Sequence, residues 1–462
     1  MIERRYVDAL IVGGGPAGLA AATGLWYSGI RDILIVEREK HLGGILRQCI
    51  HDGFGLTQLG VALSGPEYAQ RYIDDVERME IPYITNATVL SVTPSRVVTV
   101  VSRDGLVEYE AKAVILTMGC RERTRGALAI PGERPTGVFT AGVAQAYINL
   151  YNRMPAREVI ILGSGDIGMI MARRLTLEGA HVQGVFEVMP YAAGLPRNVE
   201  QCLNDYNIPL YLSRTATKIH GSDRVTGVTI SEVDAHGKPI PGTEKEYACD
   251  TVILSVGLIP ENELSLDAGV ELDPHTRGAF VDEHYMTGVE GIFAAGNVLH
   301  VHDLVDYVSL EAERLAMSAA AYIKDGSLPA CPLAVECGEN VGHVIPQRVS
   351  GTSGFQLSLR VRRPLRGCTI RVTQDGREVF SHKMRKAIPA EMIRLEIPTA
   401  SLSTSGDLMV EAMGQVEDGG SSGAVGSGDS GAVGSGDSGL GGSAGSGAAG
   451  SVGSADCAPE GR

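Results

Sequence analysis

The chain has 462 residues, 44% of them hydrophobic, which is enough apolar material for two or three cores and sets the expectation of several domains. A formal net charge of −15 argues against nucleic acid as the main partner. No apolar run reaches the length of a transmembrane helix, and the eight cysteines contain no C-x-x-C, which indicates neither a disulfide framework nor a regular zinc or iron–sulfur site. Most of the cysteines are expected to be small buried hydrophobes in a cytoplasmic protein. Arg4 and Arg5 ahead of an apolar stretch imitate a signal peptide, but a nucleotide-binding motif lies inside that stretch and displaces the reading.

That motif spans residues 8–18, Asp-Ala-Leu-Ile-Val-Gly-Gly-Gly-Pro-Ala-Gly. An apolar run at 9–12 reads as a buried parallel strand. Gly13, Gly15 and Gly18 follow at G-x-G-x-x-G spacing, with Pro16 and Ala17 opening an alanine-rich helix. The first glycine makes the tight turn and the second lets a pyrophosphate approach the backbone. The third lets the helix pack on the strand with its N-terminus aimed at the phosphates. A second strand at 33–36 ends in Glu37, placed to accept the ribose hydroxyls of an adenosine. Gly43 and Gly44 let the chain pass close to a cofactor, and Gln48, Cys49 and His51 come directly after them. Residues 66–79 read as an amphipathic helix. Residues 88–113, which include Val89, read as a three-stranded meander with Asp104-Gly105 as its hairpin turn. A buried strand at 114–118 then ends in Gly119.

The pattern recurs. Gly163, Gly165 and Gly168 open a second unit, and Glu187 ends its second strand. Gly13 to Glu37 and Gly163 to Glu187 are both 24 positions apart. A second meander (217–250) leads to an apolar strand ending in Gly257. This internal repeat is the most specific signal in the chain. Glu187 receives the 2′-hydroxyl of NAD and repels a 2′-phosphate, and no arginine follows in Val188-Met-Pro, so NAD is expected over NADP.

With both units in view, residues from about 5 to 325 resemble the two-dinucleotide-binding-domain flavoproteins, the pyridine nucleotide–flavin oxidoreductase superfamily. The resemblance implies an α/β fold of two Rossmann-like domains. An FAD domain is formed by 1–125 and 286–330, with an NAD(P) domain at 126–285 inserted in it. The return motif is Gly291-Ile-Phe-Ala-Ala-Gly296-Asn297. Most relatives have an aspartate at its last position, bonded to the flavin's ribityl or phosphate oxygens. Asn297 can still hydrogen-bond there without charge. The resemblance also puts Val89 and Gly119 on the cofactor. Residues 298–307 should start a helix aimed at the flavin's pyrimidine end, with Asp306 and Val308 near the isoalloxazine.

Disulfide reductases of this superfamily carry a redox cysteine pair. In one branch the pair falls two and seven residues after the Gly-Gly pair, which are Leu46 and His51 here. In the other it is a C-x-x-C in the second domain, and none occurs between 126 and 290. A closer match is the branch of flavoprotein subunits of opine, amino-acid and cyanide-forming dehydrogenases, alongside glycerol-3-phosphate-type dehydrogenases. It rests on residues 43–51, 132–142 and 296–302. That resemblance implies a heteromeric dehydrogenase with a partner flavin subunit, a small Cys-rich protein and a small-molecule substrate. Gln48, His51, His300, His302 and Asp306 become candidate flavin-side groups, with His51, Cys49 and Asp306 as catalytic candidates. Two alternatives stay open, a stand-alone NADH oxidase or peroxidase using Cys49 and an electron-transfer subunit with an unused NAD site. His300 and His302 also admit a purely structural reading as caps of the Asn297 turn. No serine nucleophile, metal cluster or paired carboxylates stand out.

Beyond the flavin-like part, Cys331 and Cys337 are separated by five residues; a ligand pair is conceivable, but the spacing matches no common cluster and favours two structural cysteines. Residues 345–415 read as a small antiparallel β module, with Asp375-Gly376 as a hairpin. Residues 356–397 hold ten Lys/Arg and four Asp/Glu, either a solvated strand face or a docking surface for an acidic partner. Residues 417–462 are a Gly/Ser-rich tail with an imperfect eight-residue repeat, expected to be disordered.

Overall fold

The computed structural model describes residues 3–416, and the expected tail at 417–462 lies outside them. Strand Glu3–Val12 is central to the first sheet. It pairs in parallel with Ile33–Val36 on one side and Gly105–Leu116 on the other, with Val12 opposite both Val36 and Leu116. Both faces are covered, which is why residues 9–12 are apolar at every position and all buried. Strand Ile292–Ala294 adds itself in parallel to Gly105–Leu116 and brings the return motif beside the first glycine turn. Helix Pro16–Tyr27 crosses helix Val305–Asp325 so closely that a Cβ on Gly24 would lie 2.7 Å from Ala316 Cβ.

The second sheet is wholly parallel, in the order Val138–Thr140, Thr251–Leu254, Glu158–Leu162, His181–Phe186, Leu210–Tyr211. Strand Glu158–Leu162 shows how a continuous apolar run serves two faces. Val159 and Ile161 join one core cluster, while Ile160 and Leu162 join the cluster on the opposite side. Between the sheets the chain crosses twice, outward through Cys120–Glu122 and back through Leu258–Pro260, and the crossings pair antiparallel.

The repeat is imperfect at the meanders. In the first unit the third meander strand and the apolar run before Gly119 are one twelve-residue strand, Gly105–Leu116, so the meander extends the main sheet. In the second unit, Arg214–His220, Gly227–Glu232 and Lys245–Ala248 form a separate sheet. The chain breaks there because the Asp250 carboxylate accepts the backbone N–H of Arg157 at 3.1 Å and the Thr251 hydroxyl at 2.9 Å. Thr251–Leu254 then starts as a new strand.

The C-terminal β region has two sheets around their own apolar core. One orders Arg348–Val349, Leu333–Cys337, Leu408–Val416, Leu365–Gln374 and Arg377–Ala387; the other orders Val341–Ile345, Phe355–Val361 and Ile393–Ile397. Its first strand begins at Leu333, ahead of residue 345, and carries Cys337. Asp375 (φ +49°) and Gly376 (φ +77°) make the hairpin turn. The basic residues do not form one face. Arg360 is largely buried and its guanidinium meets Asp303 Oδ1 at 3.1 Å, while Arg371 pairs with Glu411 at 2.6 Å and Arg394 lies over the ring of Tyr307. Arg377, Lys383 and Arg385 are exposed on the edge strand Arg377–Ala387.

Candidate functional site

The two glycine turns repeat one construction. Gly13 has φ +107° and Gly163 has φ +90°, and a Cβ on either would strike a carbonyl, Thr117 O at 2.7 Å or Ser255 O at 2.1 Å. Gly18 and Gly168 sit against the carbonyls of Gly13 and Gly163, where a Cβ would come to 1.9 Å and 2.7 Å, so these third glycines set the helix against the strand. Gly15 and Gly44 face each other, and a Cβ on Gly44 would lie 3.0 Å from Gly15 Cα. Helices Pro16–Tyr27 and Asp166–Leu177 follow with their N-termini at the turns.

The terminal acids are buried and held alike. Glu37 accepts the N–H of Gly14 and of Glu39, both at 2.7 Å. Glu187 accepts the N–H and hydroxyl of Ser164 at 2.8 and 2.7 Å and the N–H of Met189 at 2.9 Å. Each carboxylate is thus fixed by the backbone of its own glycine turn.

One cleft of about 1910 Å³ joins both turns. Small-ligand pockets run to roughly 300–1,000 Å³, so this one has room for two dinucleotides. Its wall takes in Gly13, Gly15, Pro16, Ala17, Glu37, Gly44, Gln48, Cys49, His51, Val89, Gly119, Gly163, Gly165, Glu187, Gly257 and Asn297. Gly18, Gly168, Gly296 and Asp306 are not on it.

Three candidates follow the Gly-Gly pair. Gln48 is buried, and its amide donates to Gly142 O at 2.8 Å and to Gln145 Oε1 at 3.1 Å, tying the first unit to helix Ala141–Asn149. The Cys49 thiol donates to Ile45 O at 3.4 Å, and burial pushes it up to about 12. It is held as a thiol, which suits neither a nucleophile nor a sulfenate. His51 stacks near Phe54 with ring centroids 4.9 Å apart, and burial lowers it from its ordinary value.

Asp306 does not line the cleft. It is buried, and its carboxylate accepts the N–H groups of Gly55 at 3.0 Å, Thr57 at 3.1 Å and Gln58 at 2.7 Å. An acid in the first turn of helix Val305–Asp325 is well placed to clamp a loop, and three of its roughly four acceptor positions are used there. Val308, by contrast, lines the cleft.

The return turn is backed by a buried acid. Glu311 Oε1 accepts Gly296 N–H at 2.7 Å, and Oε2 lies 2.6 Å from His300 Nε2 and 3.4 Å from His302 Nε2. Burial would raise this carboxyl, but the two imidazoles outweigh it and hold it well below the usual carboxylate range. Asn297 Oδ1 accepts the backbone N–H of His302 at 3.0 Å and lies 3.3 Å from its Nδ1, while the amide nitrogen reaches Cys120 Sγ at 3.6 Å. The capping reading of the His302 region thus has direct geometric support. Burial pushes the Cys120 thiol up to about 11.

Sequence reasoning missed two groups. Thr117 Oγ1 donates to Val12 O at 2.8 Å, and Thr117 and Ser255 stand at matching places in the repeat, where alignment of the two units would have found them. Arg360, Pro389 and Ala390 of the C-terminal region also line the cleft. The Arg360 guanidinium donates to the carbonyls of Pro389, Ala390 and Val301, and no local motif marks it.

The turns fit the groups their sequence implies. Each has a bare backbone cradle that a Cβ would fill, a helix N-terminus and an acid fixed by the turn, repeated in one cleft. Fold and site together define a flavin- and nicotinamide-dependent oxidoreductase. The chain belongs to the pyridine nucleotide-disulphide oxidoreductase family, whose model matches residues 7–322. Proteins of this family bind FAD and NAD(P)H. The chain is 26% identical to hydrogen cyanide synthase subunit HcnB of Pseudomonas protegens over 395 residues, 80% of this chain and 78% of that protein. It is 27% identical to the chlorobenzene dioxygenase ferredoxin reductase component of a Cupriavidus species over 356 residues, 72% of this chain and 78% of that protein. Among solved structures, thioredoxin reductase of T. acidophilum superposes with a TM-score of 0.56 at 26% identity, covering 70% of this chain and all of that one. No helix of the described residues is long and apolar enough to cross a membrane.

Proposed function

We propose that this chain is the NAD-linked flavoprotein subunit of a heteromeric dehydrogenase, passing reducing equivalents between NAD(H), FAD and a partner flavin subunit that oxidises a small amine, amino acid or hydroxy acid. One observation carries the reading. The three cysteines on the cleft wall, Cys49, Cys120 and Cys202, are free, and burial pushes all three thiols up. A family member without a redox disulfide or a thiolate there needs another route for its electrons, and a second protein supplies one. The names of the HcnB and ferredoxin reductase relatives, a subunit and a component, agree with this. Seven free cysteines among the described residues fit a cytoplasmic setting.

FAD, when bound, supplies the exchange between two-electron and one-electron chemistry. The chain's residues do the rest. Gly13, Gly15, Pro16, Ala17 and Gly44 hold one pyrophosphate, and Glu37 holds the adenosine ribose. Gly163 and Gly165 cradle the second dinucleotide, and Glu187 receives its 2′-hydroxyl. Arg214, also on the wall, is engaged with Glu232 at 2.8 Å, which leaves Glu187 to favour NAD(H). Val89, Gly119, Gly257 and Asn297 shape the cleft between the two ends. His51, lowered by burial, stays a neutral imidazole near pH 7 and can take or return a proton at a ring nitrogen facing the cleft.

The experiment is anaerobic reduction of the purified flavoprotein by NADH, with a C49S/C120S/C202S variant beside it. The reading expects the flavin to bleach at similar rates in both, and neither protein to turn over peroxide or small disulfides. Turnover of peroxide that disappears in the variant would instead establish the thiol-based oxidase or peroxidase.

A further inference from the structure

Away from the cleft, three segments converge where the flavin-side fold meets the C-terminal sheets. They are the turn at 282–286 ahead of strand Ile292–Ala294, the stretch after helix Val305–Asp325, and Ser350 beyond strand Arg348–Val349. We propose that Glu283, His284 and Cys331, with Asp282 beside them, form a binding site for a thiophilic divalent cation of the zinc class. This departs from the reading of Cys331 as merely structural.

Three observations support it, and a sulfur donor close to two acids completes the set. The ligand atoms of Glu283, His284 and Cys331 all lie within 4.8 Å of one another. A tetrahedral zinc ion with ligands at about 2.0–2.3 Å needs donors roughly 3.3–3.8 Å apart, a gap that side-chain rotation closes. His284 Nε2 is buried and has no hydrogen-bond partner, a state that costs free energy unless something occupies it. The Glu283 side chain is only 4% exposed, and its one ion-pair contact among the described residues is that same nitrogen at 3.9 Å, too long for a hydrogen bond. Its oxygens accept Ser350 N–H and hydroxyl at 2.9 and 2.7 Å, which orients the carboxylate as an outer partner orients a metal ligand. Finally, the Cys331 sulfur stands close to Asp282 and Glu283.

The second cluster of similar composition, His300, His302 and Glu311, also has a buried nitrogen without a partner, His300 Nδ1, but it offers no sulfur donor. Its carboxylate is already bonded to Gly296 N–H and His300, and the Arg360 charge stands nearby. A sulfur donor set beside nitrogen and oxygen donors singles out the first. An ion there would fasten the entry of the C-terminal sheets to the return segment of the flavin-side fold.

The test uses the full chain with its flavin. After a chelator and then Zn²⁺, followed by dialysis, the wild type should retain one equivalent of zinc, and C331S and H284Q should each lose it. Zinc-edge X-ray absorption of the wild type should show one sulfur neighbour at about 2.3 Å. Flavin content reports whether the variants fold. If they do not, the wild-type absorption spectrum decides alone. Failure to retain zinc overturns the assignment, and so does bound zinc without a sulfur neighbour, which would place the ion on the imidazoles of His300 and His302.

Discussion

Glu311 Oε2 lies 2.6 Å from His300 Nε2, and both side chains are buried beneath the turn that carries Asn297. The carboxylate also holds Gly296 N–H, so one acid fixes the backbone of the return motif and the imidazoles behind it. Removing it strands a buried N–H and two imidazoles without their anion. E311A is expected to cost about 3–5 kcal/mol of stability and to lower flavin content. E311Q keeps an oxygen for Gly296 and should lose less. Chemical denaturation with flavin absorbance checks both, and an E311A protein of wild-type stability and full flavin content would remove this role.

Glu187 is expected to set the choice of pyridine nucleotide. In E187S the 2′-hydroxyl loses its acceptor and the barrier to a 2′-phosphate falls. The ratio of kcat/KM for NADH over NADPH should then drop by about 10-fold or more. Steady-state flavin reduction with the two donors measures it. Ser164 also loses its acceptor in this variant, so a modest fall in Tm should accompany the change.

The parts of the site that could be read in advance are those the chain states twice. Glycines with positive φ, a helix start and a strand-ending acid are local, and recurrence of the set at Gly163 to Glu187 removes coincidence. Asp306 shows where this stops. Its place at the head of a helix was readable, but its partners at 55–58 lie some 250 residues earlier, and nothing near Asp306 announces them. Arg360 shows the same limit in a strand. Alternation gives the face on which a side chain stands, not what packs on that face, and here Asp303 and the carbonyls of 389–390 do. Glu311 was equally hidden, one acid on a helix rich in charge.

Asp306 is therefore expected to act on stability and not on chemistry. D306A leaves the N–H groups of Gly55, Thr57 and Gln58 without their acceptor, at a cost of about 3 kcal/mol. The rate of flavin reduction at saturating NADH, measured per bound flavin, should stay within about 2-fold of wild type. A large fall in that rate without loss of stability would return Asp306 to the catalytic list.

The acid limb of stability is expected to depend on His343. Burial, together with the charges of His300, Arg360, His302 and His275, lowers this imidazole from 6.5 to about 3. Its folded value lies below its unfolded value, so its contribution is complete above about pH 6.5 and is lost as pH falls toward about 3. His300 is lowered by burial in the same direction, and Glu311, held low by its imidazoles, adds a further loss below the ordinary carboxylate range. His343 Nε2 is also buried without a partner. Replacing it by leucine should therefore be neutral or stabilising near pH 7, and should reduce the slope of stability between about pH 6 and pH 4 by about 1 kcal/mol per pH unit. Urea unfolding across that range measures the slope. An unchanged slope in H343L would mean that this imidazole is already protonated in the folded protein, or that it titrates alike in both states.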